Sequence, residues 1–189
     1  MTCLGRAEGI EEPEGILLSI VIRRLGRADA VSFHALRLEG FRLHEREFRF
    51  APEDEAGLSL EDVAARLARD AVFGACDGDA LVGVAGLAFS GGAKTRHKAL
   101  LWGMYLRAAY RGAGVADRLM SALMDEARGR AEMVTLTVIH GNARATRFYE
   151  RWGFVAYGVE PRAVRTSGGD YLDEAMMALR LDANPTPSS

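Results

Sequence analysis

At 189 residues the chain is about one ordinary domain, long enough to bury a core of its own. Its 49% hydrophobic and 26% charged residues are the proportions of a soluble globular protein. A formal net charge of −2, with acidic and basic residues interspersed, gives no basis for binding nucleic acid or an acidic membrane through bulk charge.

Residues 1–14 mix Gly, Glu and Pro13 and are expected to form a flexible N-terminal segment. No basic stretch followed by a long apolar core opens the chain, and no apolar run would span a bilayer, so a cytoplasmic location is the default expectation. Residues 15–182 are expected to form one domain. The prolines and serines of 183–189 indicate a disordered tail. The two cysteines, Cys3 and Cys76, have no neighbours at metal-ligand spacing, so neither a disulfide framework nor a zinc site is expected.

Ile16–Ile22 is apolar and β-branched and is expected to be a strand. Asp29 is placed to cap a helix running to about Leu43, with Val31, Phe33, Leu36, Leu38 and Phe41 as its apolar positions. Ser59 followed by Asp62 resembles a capping box opening a second helix through Val63, Leu67 and Ala68. Ala71–Cys76 and Ala80–Phe89 flank Asp77-Gly78-Asp79, which is a hairpin signal. Gly91-Gly92 breaks the chain, and Lys98–Leu106 follows as a strand, antiparallel to the one before it. Val115, Leu119, Leu123 and Ala127 form a helical stripe, Val134–Ile139 a short strand, and Asn142 to Trp152 a further helix. Gly153-Phe154 starts a strand, and Tyr171–Leu181 is the last. The helical crossover should make the strands near 100–106 and 134–139 parallel.

Two segments carry chemistry. The first is Arg111-Gly112-Ala113-Gly114-Val115-Ala116, between a strand and a helix. Small residues there let a ligand approach the backbone, and the free N–H groups of a helix N-terminus can cradle a diphosphate, with Arg111 adding a fixed charge. No Gly-Lys-Ser/Thr closes the turn, and Asp117 occupies the third glycine position of a dinucleotide fingerprint, so neither of those sites is indicated. A tight turn with glycines chosen for geometry alone remains the other reading. The second segment runs from Asn142 to Phe154. It has the form of a capped amphipathic helix with Ala145, Phe148 and Tyr149 on one side and Gly153 as its stop.

Together these segments resemble the GNAT family of N-acetyltransferases. Arg111, Gly114 and Ala116 match its coenzyme A signature Gln/Arg-x-x-Gly-x-Gly/Ala in order. Asn142, Ala145, Phe148, Tyr149, Gly153 and Phe154 match its later motif Asn-x-x-Ala-x-x-Phe/Leu-Tyr-x-x-x-Gly-Phe. The element order fits the family over nearly the whole domain. The resemblance implies an α+β fold: a twisted mixed sheet with helices on both faces and two central parallel strands splayed for coenzyme A. It implies acetyl-CoA as co-substrate, with no metal. The pantetheine arm would bond to main-chain groups of Met104, Tyr105 and Leu106. The pyrophosphate would meet the amides of Gly112, Ala113, Gly114, Val115, Ala116 and Asp117, beside Arg111. Asn142 would make a further contact.

The same resemblance gives Tyr149 the role of general acid. A phenol of pKa about 10 is protonated at neutral pH and can protonate a departing thiolate. A backbone amide near Met104–Leu106 would hold the oxyanion. Some family members use a Glu in the strand before the Asn as base. Here that stretch is Thr135-Leu136-Thr137-Val138, so the base is left to a water chain or to one of His97, His140, Glu45 and Glu47. Trp102 and Trp152 are expected to be packing residues. The implied acceptor is an amine on a small molecule, a peptide N-terminus or a lysine. No nucleic acid or membrane partner is implied, and a homodimer is compatible with the fold. The alternative function is a catalytically weak acetyl-CoA-binding sensor or regulatory module.

Overall fold

The computed structural model describes residues 20–181. The expectations for 1–14, for Cys3, for Ile16–Ser19 and for 183–189 lie outside the described residues. Seven strands form one sheet in the order β1-β2-β3-β4-β5-β7-β6. They are β1 (Ile20–Arg24), β2 (Ala71–Asp77), β3 (Ala80–Phe89), β4 (Lys98–Leu106), β5 (Met133–Ile139), β6 (Val155–Arg165) and β7 (Tyr171–Arg180). The helices are α1 (Ala30–Leu43), α2 (Pro52–Ala56), α3 (Leu60–Arg69), α4 (Val115–Ala127) and α5 (Ala143–Arg151). Only α2 was not foreseen. Its Pro52 sits in the first turn and its Asp54 accepts from the Ala51 amide, a short local start signal inside an otherwise acidic loop.

The sheet separates two layers. Alternating side chains of β2 go to opposite faces. Val72 and Cys76 join a cluster with Phe33 and Leu36 of α1 and Val63 and Leu67 of α3. Ala71 packs in the cluster that holds Leu123 of α4 and Tyr149 of α5, and Ala75 in the one that holds Val115 and Leu119 of α4. Helices therefore cover both faces. Two apolar assignments are corrected. In α1 the buried stripe is Ala30, Phe33, Leu36, Arg37, Gly40 and Phe41, and Val31 is exposed. In α3 the third buried residue is Ala64 rather than Ala68, because i, i+1 and i+4 face the core there. Ser59 caps α3 as its sequence predicts, accepting from Asp62 N at 3.1 Å.

β4 and β5 are the parallel pair, and they pair only at Lys98↔Met133, Ala99↔Val134 and Leu100↔Thr135. Beyond Leu100 they part. The departure coincides with a bulge, where the β3 register shifts between Val84 and Gly86. Gly103 has φ 66° there, which glycine adopts without strain. A Cβ on Gly103 would lie 2.6 Å from Arg37 Nη1, so a side chain there would also displace the Arg37 guanidinium. β7 then covers the other side of β5 over its whole length, from Met133↔Arg180 to Ile139↔Glu174. Among the described residues, no helix is long and apolar enough to cross a membrane.

Candidate active site

The gap between the parted ends of β4 and β5 opens a cleft of about 660 Å³, a volume typical of small-ligand pockets. Its walls are the second half of β4, the turn before α4, the end of β5, α5, and the loop after α1. Met104, Tyr105, Leu106, Arg111, Gly112, Gly114, Ala116, Asp117, Asn142 and Tyr149 all border it. Ala113 and Val115 do not: they are 7% and 0% exposed and turn into the core, so only their backbone can serve the site.

At one end, Gly112 (φ 83°) and Gly114 (φ 74°) bend the chain into α4, and Gly114 at the N-cap has no side chain to cap that helix. Its first N–H groups are thus left for an outside acceptor. Arg111 is less free than the sequence suggested. Its Nε donates to Leu106 O at 2.9 Å and its Nη2 to His44 Nε2 at 3.0 Å. Its charge borders the cleft, but its hydrogen bonds tie the turn to the end of β4. Asp117, in the first turn of α4, accepts from Arg151 Nη2 at 2.7 Å and from Trp152 Nε1 at 2.9 Å. This joins α4 to the end of α5, so Trp152 is a polar tie as well as a packing residue.

Asn142 fixes α5 by accepting from Ala145 N through Oδ1 at 3.1 Å, which commits its oxygen to capping. Tyr149 lies two turns along. Its ring meets Phe148 and Phe154 at centroid distances of 5.4 and 5.8 Å. Among the described residues its hydroxyl has no hydrogen-bond partner. Burial pushes its phenol well above the ordinary value of about 10, so it stays a proton donor. Tyr105 has different surroundings: its ring packs on the α1 face and its hydroxyl donates to Glu39 at 3.1 Å.

Of the four side chains named as candidate bases, only Glu47 borders the cleft, and there it pairs with Arg144 at 2.8 Å. Glu45 accepts from Ser167 Oγ at 2.5 Å on the outer surface. His97 and His140 do not line the cleft. Sequence reasoning missed Glu174. It is 2% exposed on β7, lines the cleft, and faces Arg49 Nη2 at 3.3 Å. Its signal was an acidic residue inside an apolar strand, masked by the adjacent Asp173. Arg37 was also missed. It lies over Phe41 at 4.7 Å and Trp102 at 5.3 Å, and pairs with buried Glu55 at 2.8 Å. Arg66 completes that network at 3.1 Å. Among the described residues no cluster of His, Cys, Asp and Glu forms a metal site.

Comparison with known proteins places this geometry among relatives. The family model described as acetyltransferase (GNAT) matches residues 37–154, which contain both motifs. An L-methionine sulfoximine/L-methionine sulfone acetyltransferase of Salmonella typhimurium is 32% identical over 87 residues, 46% of this chain and 50% of the relative. The match thus spans about half the length of that curated relative. Among solved structures, an acetyltransferase of the GNAT family from Streptococcus pneumoniae superposes with TM-score 0.77 at 20% identity, covering 86% of this chain and 99% of that one. yncA of Salmonella typhimurium, solved with its cofactor acetyl-CoA, gives TM-score 0.74 at 21% identity over 90% and 99% of the two chains. The ribosomal-protein-alanine N-acetyltransferase of Brucella melitensis gives 0.73 at 23% identity over 85% and 99%.

Proposed function

This chain belongs to the acetyltransferase (GNAT) family, and we propose that it moves an acetyl group from acetyl-coenzyme A to a primary amine. The observation that carries the reading is one cleft with three features: a strand edge freed where β4 leaves β5, a helix N-terminus with glycine at its cap, and a largely buried tyrosine that borders the cleft. These residues fit the donor. The Met104–Leu106 backbone offers an edge to an extended amide chain, as in strand addition. The α4 amides from Gly112 to Asp117 suit a pyrophosphate, and Asn142 borders the same cleft.

Acetyl-CoA supplies the acetyl thioester. The amine nitrogen bonds to the carbonyl carbon and the carbon–sulfur bond breaks. Tyr149 gives its proton to the sulfur and is reprotonated through water, which also carries away the protons lost by the acceptor nitrogen, one of them in surplus. An amide N–H at the end of β4 would meet the oxyanion. The candidate side chains away from the cleft, and Glu47 held by Arg144, favour a water chain over a single base. The relatives named for L-methionine sulfoximine and for ribosomal-protein alanine differ greatly in acceptor size, so the family alone leaves the acceptor open.

The test is release of free thiol from acetyl-CoA over a panel of amines, with amide formation followed by mass. Thiol release that tracks amide formation supports the reading. Acetyl-CoA binding with no release, or release without any acetylated product, would refute it.

A further inference from the structure

We infer that Glu174 and Arg49 are the docking pair for the acceptor, and that the acceptor is a free α-amino acid or close analogue. Glu174 receives its ammonium group and Arg49 its carboxylate. This rests on the acetyl transfer proposed above and adds the class of acceptor.

Glu174 is 2% exposed, and its Oε2 has no hydrogen-bond partner. Arg49 Nη2 lies 3.3 Å away, close enough for an ion pair but without the alignment of a hydrogen bond. A buried carboxylate oxygen left in this state is costly unless a cationic donor reaches it. The residue that carries this oxygen lines the cleft.

Its position suits an incoming amine. Glu174 pairs with Ile139, the last residue of β5, at the end of the strand that has lost β4. Its neighbours Ala175 and Met177 pack in the same cluster as Tyr149. By strand alternation Ala175 faces opposite to Glu174, so Glu174 points to the α1 face. A nucleophile held there and a thiolate protonated by Tyr149 lie on opposite sides of the sheet, so attack and departure do not compete for space.

The pair is also unequal in mobility. Glu174 sits on β7, which is paired on both sides by β5 and β6, while the Arg49 side chain is 43% exposed on a loop. Arg49 can swing away while Glu174 stays. A zwitterion inserted between them exchanges one imperfect ion pair for two. Three other cleft arginines are already held by carboxylates, Arg37 by Glu55, Arg144 by Glu47 and Arg151 by Asp117, and among the described cleft arginines Arg49 is the one that faces Glu174. A peptide N-terminus or a lysine side chain has no carboxylate beside its amine. It would break the Arg49 contact and replace only half of it.

The experiment compares free L-amino acids with their carboxamides and with short peptides, using wild type, Glu174→Gln and Arg49→Gln. Wild type should use the best amino acid at least about tenfold better than its carboxamide in kcat/KM. Glu174→Gln should lose about a hundredfold on both. Arg49→Gln should lose only on the acid, erasing the preference. Acetyl-CoA affinity and melting temperature should stay near wild type. Carboxamides or peptides used as well as the acids, or wild-type turnover in Glu174→Gln, would overturn the assignment while leaving acetyl transfer intact. If Glu174→Gln does not fold, the half-exposed Arg49→Gln decides: equal losses on acid and carboxamide would refute the carboxylate contact. Absence of thiol release with every amine would refute acetyl transfer, and this inference with it.

Discussion

Tyr149→Phe removes one oxygen from a ring that otherwise keeps its surroundings. That hydroxyl has no partner among the described residues, and the contacts with Phe148 and Phe154 are made by the ring. The variant therefore loses no protein hydrogen bond, and stability should move by less than about 1 kcal/mol in either direction. Turnover should fall about a hundredfold, which is about 2.7 kcal/mol of barrier at about 1.36 kcal/mol per factor of ten. Acetyl-CoA affinity should stay near wild type, since the acid acts on the departing sulfur. The pH dependence adds a second readout. Burial raises the folded-state phenol above the unfolded value of about 10. Its contribution to stability is then fully present below pH about 10 and lost as pH rises further, because only the unfolded chain ionises. Wild-type kcat should accordingly show no falling alkaline limb below pH about 10 from this group, and the alkaline loss of stability should be shallower in Tyr149→Phe. The assay is steady-state thiol release beside urea denaturation at matched pH. A folded Tyr149→Phe with wild-type kcat would refute the role given to the hydroxyl.

Gly114→Glu places a side chain at φ 74° and a negative charge at the α4 N-terminus. Acetyl-CoA binding by calorimetry should weaken at least about a hundredfold, and a folded variant with unchanged affinity would refute the placement of the pyrophosphate. Glu45→Gln and His140→Ala should keep near-wild-type kcat/KM, because neither residue lines the cleft. Glu47→Gln should cost no more than about tenfold through release of Arg144, and complete loss of turnover with folding intact would make Glu47 the base. Glu55→Gln leaves the Arg37 guanidinium buried without its partner and should cost about 3 kcal/mol in urea denaturation. Burial raises the Glu55 carboxyl, but the hydrogen bonds and charges of Arg37 and Arg66 outweigh it and hold it below its ordinary range. Its contribution should therefore be present above pH about 4.5 and lost as pH falls through the folded value, so the acid limb of wild-type stability should flatten in the variant.

The sequence alone determined what depends on neighbours along the chain. Ser59 with Asp62, Asn142 with Ala145 and the glycines at 112 and 114 act within one turn, so their local roles were visible from spacing. The stripe Val115, Leu119, Leu123 and Ala127 was legible for the same reason: helical periodicity is a local rule. The two motifs sit on such local elements, and they carried the family assignment. Tertiary structure decided whatever joins residues far apart in the chain. The point where β4 leaves β5 coincides with a bulge at Gly103, beside which the Arg37 side chain of α1 lies. Arg111 spends its hydrogen bonds on Leu106 and His44 because β4 and the end of α1 converge there. Glu174 and Arg49 are separated by most of the chain, and both Glu174 and Asp173 fit an alternating strand. Only the register of β7 against β5 decides which of the two acids is buried beside the cleft, and register is set by pairing across the sheet, a contact that neither strand encodes by itself.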